Sequence, residues 1–355
     1  MISFYPGPSR LYSRIPEFMQ EACDKGILSI NHRSAEFVEI SKKAISLFKQ
    51  KLNVPEEYTI FFTSSATECW EIVAQSLIKE KSYHLYNGSF GEKWLEYTQK
   101  LKKESSGKKF GIEEALNIET FPVPTDVELI AITQNETSNA TEVSNTILSS
   151  YRLKYPDKII AVDATSSMAG IYLDFNLADV WYASVQKCFG LPAGMAVMVC
   201  SPKAIERAIE LNENKHYNSL ISMIERMKDY QTTYTPNVLS VFLLMKVLEM
   251  VVPIKEMDEK IRGNAADWYV FFKEINGLEL LIEKLSVRSG TVIALTGKDE
   301  IISKIKKEAK EAGLLLGNGY GNWKTNTFRI ANFPAIETNE VNKLKDFFTS
   351  FSLKF

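Results

Sequence analysis

Histidine and cysteine are scarce in this 355-residue chain, which has three of the first (His32, His84, His216) and four of the second (Cys23, Cys69, Cys188, Cys200). None falls in a CxxC or HExxH spacing, so no metal site is expected. The scattered cysteines read as free thiols in a reducing compartment. An excess of one charge is missing too: 42 Lys and Arg stand against 44 Asp and Glu, a net charge of −2. Nucleic acid or an anionic membrane would require clustered basic residues, so neither is an expected partner. Long apolar runs are absent. The longest, residues 241–254, is interrupted by Lys246 and Glu249 and is too short to span a bilayer. The start, MISFYPGPSRLYSRIPEF, lacks a basic segment followed by an apolar one, so no signal peptide is read and a cytoplasmic protein is expected. The sequons at Asn87, Asn135 and Asn139 are then not glycosylation sites.

What is present is an alternation of short apolar runs with helical patterns. Residues 58–63, 83–86, 128–133, 158–163, 180–185 and 195–200 read as strands. They lack strict apolar–polar alternation, which points to strands covered on both faces. Helices are read after Ser65 and over 90–101. The pattern predicts an α/β fold with a mostly parallel, doubly wound sheet. Residues 202–275 are helical in pattern, and strands are read at 278–282, 291–295 and 327–331 with helices at 299–312 and 340–351. That later part reads as a smaller C-terminal α/β unit. The division expected is a large domain over 15–252 and a small domain formed by 1–14 with 253–355. The stretch KKESSGKK, 102–109, reads as a solvated loop or helix end.

Two residues stand at strand ends where chemistry is expected. Ligands of open α/β sheets sit beyond the carboxyl ends of the strands. Asp163 closes the apolar run 159–162, although it also reads as a turn or helix-capping acid. Lys187 follows another strand and precedes a Gly/Pro-rich loop. Partial enclosure would lower its pKa and make the amine nucleophilic toward a carbonyl, whereas a lone lysine in a turn is more often a surface residue. An acid and a lysine so placed suit pyridoxal 5′-phosphate, whose aldehyde needs a lysine and whose ring nitrogen needs an acid. Its phosphate needs a cup of backbone N–H groups, and Thr63-Ser-Ser-Ala-Thr67 lies between a strand and a helix.

Many segments in one order resemble the class V aminotransferases, the group that holds phosphoserine and alanine–glyoxylate aminotransferases. They are Tyr5-Pro-Gly-Pro-Ser9, Asn31-His-Arg-Ser-Ala-Glu-Phe37, the T-S-S-A-T cup, Asn87-Gly-Ser-Phe90-Gly91 and Gln134-Asn-Glu-Thr137-Ser. Asp163, Ser184-Val-Gln-Lys187, Tyr234-Thr-Pro236 and Gly319-Tyr-Gly-Asn-Trp-Lys-Thr-Asn-Thr-Phe-Arg329-Ile follow. The resemblance implies the type I fold of pyridoxal-phosphate-dependent transferases. It also implies that Lys187 attaches the cofactor and moves a proton, and that Asp163 pairs with the ring nitrogen. Phe90 would stack on the ring, in a place where many members have Trp, and Thr137 would bond the 3′-oxygen side. Ser65, Ala66, Thr67, Thr165 and Gln186 would hold the phosphate. Tyr234 and Thr235 match residues that reach the phosphate of a neighbouring subunit, which implies a homodimer with composite sites. Arg329 matches the clamp for the substrate's α-carboxylate; on its own it also reads as a surface arginine at a strand edge. The sequons at Asn87 and Asn135 become cofactor-site turns.

The substrates implied are an amino acid and a 2-oxo acid. His32 and Arg33 match a pair that binds a distal anion in phosphoserine aminotransferases, although a capping role for His32 stays open. The C-terminal segment departs from that pattern: a Gly-His-Arg run is replaced by Gly-Asn-Gly-Tyr-Gly-Asn-Trp-Lys324. Recognition of a phosphorylated side chain would rest on His32, Arg33 and Lys324. The leading expectation is a phosphoserine aminotransferase, and a glyoxylate- or pyruvate-using transaminase is the alternative. A cysteine desulfurase needs a loop cysteine before the clamp arginine, and residues 300–329 contain none. A nucleotide-binding protein needs G-x-G-x-x-G between strand and helix, which is absent. A binding-only relative would be expected to lose Lys187 or Asp163, and both are present.

Overall fold

The strands Leu129–Thr133, Ile159–Asp163, Val180–Ser184 and Ala196–Cys200 are buried along their whole length. A strand loses water on both faces only inside a sheet covered on both sides, and these four form the middle of such a sheet. In the computed structural model, which describes residues 1–102 and 104–352, that sheet has seven strands. Their order is Thr59–Thr63, Ala196–Cys200, Val180–Ser184, Ile159–Asp163, Leu129–Thr133, Ser82–Tyr86, Ser106–Lys109. Neighbours run parallel except at Ala196–Cys200, which is antiparallel to both its partners. This is the mostly parallel α/β sheet expected from the sequence. Lys103 and residues 353–355, the last of the expected small domain, lie outside the described residues.

Short polar side chains start the helices around this sheet. Ser34, Ser65, Ser144, Ser201 and Asn237 each accept a hydrogen bond from the backbone N–H three residues on. Each satisfies one of the donors that a helix start leaves unpaired. The helical region beyond 202 divides into Pro202–Leu211, Leu220–Met227, Val238–Met250 and Ile254–Lys273. Asn212 in the left-handed conformation ends the first, and Pro253 caps the last. No helix among the described residues is long and apolar enough to cross a membrane.

A second sheet has the order Ile2–Phe4, Leu314–Asn318, Thr327–Ala331, Val292–Thr296, Glu279–Leu280. Its first pair is parallel and the rest antiparallel. A separate apolar cluster surrounds it, including Phe4, Phe272, Phe328 and Phe348. The strand that carries Arg329 is therefore third of five and not at an edge.

Several elements differ from the sequence expectation, three of them instructively. Ser106–Lys109, read as a solvated loop, is an edge strand paired with Ser82–Tyr86. Three of its four residues are exposed, so its composition is that of a loop although its backbone is paired. The strand read at 278–282 shortens to Glu279–Leu280. Leu314–Asn318 is a strand that the Gly-rich run 317–321 obscured.

The C-terminal helix Thr338–Ser352 locks the second sheet through Phe348. Its ring stacks on Phe328 at 5.7 Å and 11° and meets Phe272 edge-on at 5.0 Å. Phe348→Ala is expected to destabilise the protein by about 3–5 kcal/mol, the usual cost of emptying a buried aromatic site. A lowered denaturant midpoint is the readout, and an unchanged midpoint contradicts this packing role.

Candidate active site

The parallel strands end at Thr63, Tyr86, Thr133, Asp163 and Ser184, all on one side of the sheet. A cavity of about 300 Å³ opens there. Residues from five chain segments line it, among them Ala66, Thr67, Phe90, Thr137, Asp163, Thr165, Gln186 and Lys187. Sequence reasoning had assigned each of these eight to the site.

Lys187 is buried, with its Nζ 3.3 Å from Thr137 Oγ1. Burial, and then the nearby Arg329 charge, pull its pKa down from 10.5 to about 8, although Asp163 opposes them. Far more of the amine is thus uncharged near neutral pH than of a free lysine, as a nucleophile toward a carbonyl requires. Gly7 presses on it from the N-terminal segment: a Cβ there would lie 3.0 Å from Lys187 Cε, and its φ of +144° also disfavours a side chain. Ser9 N–H donates to the Gln186 carbonyl, which holds that segment in place.

Asp163 is buried, and one carboxyl oxygen accepts from Thr165 N–H at 2.9 Å. Burial pushes its pKa up. A carboxylate so placed favours a cationic partner, such as a protonated ring nitrogen in the cavity. Asn135 Oδ1 is a buried lining atom without a hydrogen-bond partner, and the Trp70 and Thr165 side chains turn toward the Asp163 carboxyl. The helix Ala66–Ser76 begins at the cavity wall, and Ser65 does not line the cavity but caps this helix through Glu68 N–H. An anion is favoured at such a helix start. An acid for a ring nitrogen, a lysine for an aldehyde, an unpartnered buried amide oxygen and an anion-favouring helix start fit pyridoxal phosphate.

A second helix, Ser89–Leu101, is anchored by a buried carboxylate. Glu136 accepts from Phe90 N–H and Gly91 N–H, both at 3.1 Å, and from Ser138 N–H at 3.0 Å. Gly88 leaves room for it, since a Cβ there would lie 2.3 Å from Glu136 Cγ. This orients Phe90, over whose ring Lys187 Nζ lies 5.5 Å from the centroid.

Arg329 is buried in its strand. Its Nε donates to the Asn318 carbonyl at 2.8 Å and Nη1 to the Thr137 carbonyl at 2.6 Å. It does not line the cavity itself but is fixed on a residue that does. The reading as an exposed strand-edge arginine is excluded.

Five further expected residues are not at this cavity. Tyr234 packs edge-on against Tyr217, and Thr235 is exposed. His32 is half-buried and Arg33 exposed, with Arg33 Nη1 donating to Gln231 Oε1 at 2.6 Å. That bond ties the His32–Arg33 turn to the loop that carries Tyr234 and Thr235. Lys324, expected to converge on the substrate, is exposed and lines no part of the cavity. Sequence reasoning missed Trp70, Lys93 and Tyr97. Helical spacing finds them: Lys93 and Tyr97 stand three and seven residues after Phe90, and Trp70 four after Ala66, each on the same helix face.

The Aminotransferase class-V family profile matches residues 6–320. A crystal structure of a phosphoserine aminotransferase from Cytophaga hutchinsonii superposes with a TM-score of 0.94, at 33% identity over 98% of each chain. A phosphoserine aminotransferase from Rhodococcus opacus is 26% identical over 95% of this chain and 91% of its own length. The fold is also that of an alanine–glyoxylate aminotransferase from Nostoc sp., with a TM-score of 0.82, at 16% identity over 99% of this chain and 96% of the other. The chain belongs to the class-V aminotransferases, a family of transaminases that uses pyridoxal phosphate.

Proposed function

We propose that this transaminase is a phosphoserine aminotransferase, which moves the amino group of glutamate to 3-phosphohydroxypyruvate and so serves serine biosynthesis. One observation carries the transaminase chemistry: a buried lysine of lowered pKa lies at one cavity with a buried acid, beside a buried arginine. The choice of substrate is supported by the relatives named above for phosphoserine.

Pyridoxal phosphate, when bound, supplies an aldehyde for the amino group and an electron sink for the charge left at Cα. The chain's own residues do the rest. Lys187 Nζ would hold the cofactor, and its amine would take the α-proton of the amino acid. Asp163 keeps the ring nitrogen protonated. Ala66 and Thr67 at the helix start, with Ser65 capping it, and Thr165 and Gln186 take the phosphate. Phe90 covers one ring face, and Thr137 holds both Lys187 and the 3′-oxygen side. Arg329 binds the α-carboxylate. In a homodimer, Tyr234, Thr235, His32 and Arg33 complete the site of the neighbouring copy. Their grouping away from this chain's own cavity supports that reading.

Lys187→Ala is expected to abolish transamination and the visible absorption of bound cofactor, with an unchanged circular dichroism spectrum. Retained activity contradicts the assignment. Attachment of pyridoxal phosphate to the apoprotein needs the uncharged amine, so its rate should rise with pH through about 8; a midpoint near 10.5 counts against the buried-lysine account. Half-reactions with O-phospho-L-serine, L-glutamate, L-alanine and L-serine decide the substrate. The phosphoserine reading predicts the highest kcat/KM for the first two, whereas faster reaction of alanine or serine favours a glyoxylate- or pyruvate-using enzyme.

A further inference from the structure

Among the described residues that line the cavity, the cations are Lys187 and Lys93. The proposed chemistry uses the first and leaves the second without a role. Lys93 lies on the helix Ser89–Leu101, one turn after Phe90, on the same face. Its Nζ donates to Tyr320 Oη at 2.8 Å and lies 5.3 Å from that ring's centroid. Arg329 Cζ lies 5.6 Å from the same centroid, and the Tyr320 ring stacks on Phe90 at 5.3 Å and 30°. One phenol ring thus neighbours both cations.

The turn that presents Tyr320 is tightly held. Thr327 Oγ1 donates to the Trp323 carbonyl, a Cβ at Gly319 would lie 1.9 Å from that oxygen, and Gly321 is left-handed at φ +55°. Tyr320 therefore gives Lys93 a neutral hydrogen-bond acceptor, and the only carboxylate acting on the ammonium is Glu96, one turn along the same helix, through space and not through a hydrogen bond to it among the described contacts. A carboxylate or phosphate oxygen is a stronger acceptor for an ammonium than a phenol, so an incoming anion displaces it.

We infer that Lys93 is a specificity-determining residue, whose ammonium takes the distal carboxylate or phosphate of the substrate side chain while Arg329 takes the α-carboxylate. This rests on the transaminase reading of the cavity given above. It supplies from the helix the positive charge that the sequence pattern sought at Lys324. A transaminase seats two different side chains in turn. A point charge on a flexible stem accommodates both glutamate and phosphoserine, where a rigid guanidinium fork would suit one length.

The test compares the wild-type holoenzyme with K93M and K93R. Calorimetry measures binding of glutarate, a dicarboxylate with no amino group to transfer, and of butyrate, which lacks the second charge. Half-reaction kinetics use O-phospho-L-serine, L-glutamate and L-alanine. K93M is expected to weaken glutarate binding about tenfold, as loss of one charge-assisted hydrogen bond does. It should lower kcat/KM for both anionic amino acids by a similar factor. Butyrate binding and alanine turnover should stay within about twofold, and K93R should restore kcat/KM for one of the two anionic amino acids more than for the other. Equal effects on glutarate and butyrate, or none on either, overturn the role of Lys93. If the wild type prefers alanine to both anionic amino acids, the proposed substrate and this inference fail together. An anion preference that survives K93M overturns this inference alone and points to His32 and Arg33.

Discussion

The organising constraint of this protein is an amine held out of water. A buried lysine resists carrying charge, and Lys187 is pressed further toward its neutral form by Arg329. The contacts around it follow from that condition. Gly7 has no side chain, so the N-terminal segment packs against the lysine stem, and Thr137 gives Nζ an oxygen. Phe90 offers a ring face to it. Asp163, also buried, stands close enough to oppose the shift without cancelling it. Burial thus works against the charged form of both the acid and the base.

Placing these groups takes both sheets. The large sheet brings Asp163 and the Lys187 loop to neighbouring strand ends and aims two helix starts at one cavity. The small sheet brings Arg329, anchored across the cleft on the Thr137 carbonyl. Glu136 ties these parts together: its carboxylate caps the helix that carries Phe90 and Lys93, and it lies close enough to act electrostatically on Lys187 and Arg329. The proposed division of labour, cofactor on the large sheet and α-carboxylate on the small one, follows from this arrangement.

Much of the fold was legible because buried parallel strands write themselves as uninterrupted apolar runs. Ile159–Asp163 and Val180–Ser184 were readable in this way, and with them the acid and the lysine at their ends. Ser106–Lys109 was not, since an edge strand keeps its backbone paired while its lysines stay in water. Leu314–Asn318 was hidden by its glycines. Lys93 escaped because nothing in its immediate sequence marks it; only its helical offset from Phe90 does.

The sequence by itself determined the class of chemistry, because an acid, a lysine and a polar cup must each follow a strand, and strand ends are a local feature. It also determined the family, through the order of many short segments. Only the tertiary structure decided which cations face the cavity. The sequence pattern pointed to Lys324 and left Lys93 unmarked, but Lys93, on a helix anchored at the strand ends, lines the cavity and Lys324, in a turn, does not. Only the fold, too, showed that Arg329 is buried in the interior of a sheet. Charge position depends on contacts between residues far apart in the chain, as the bond from Arg329 to Thr137 across 192 positions shows, and no local pattern encodes such a contact.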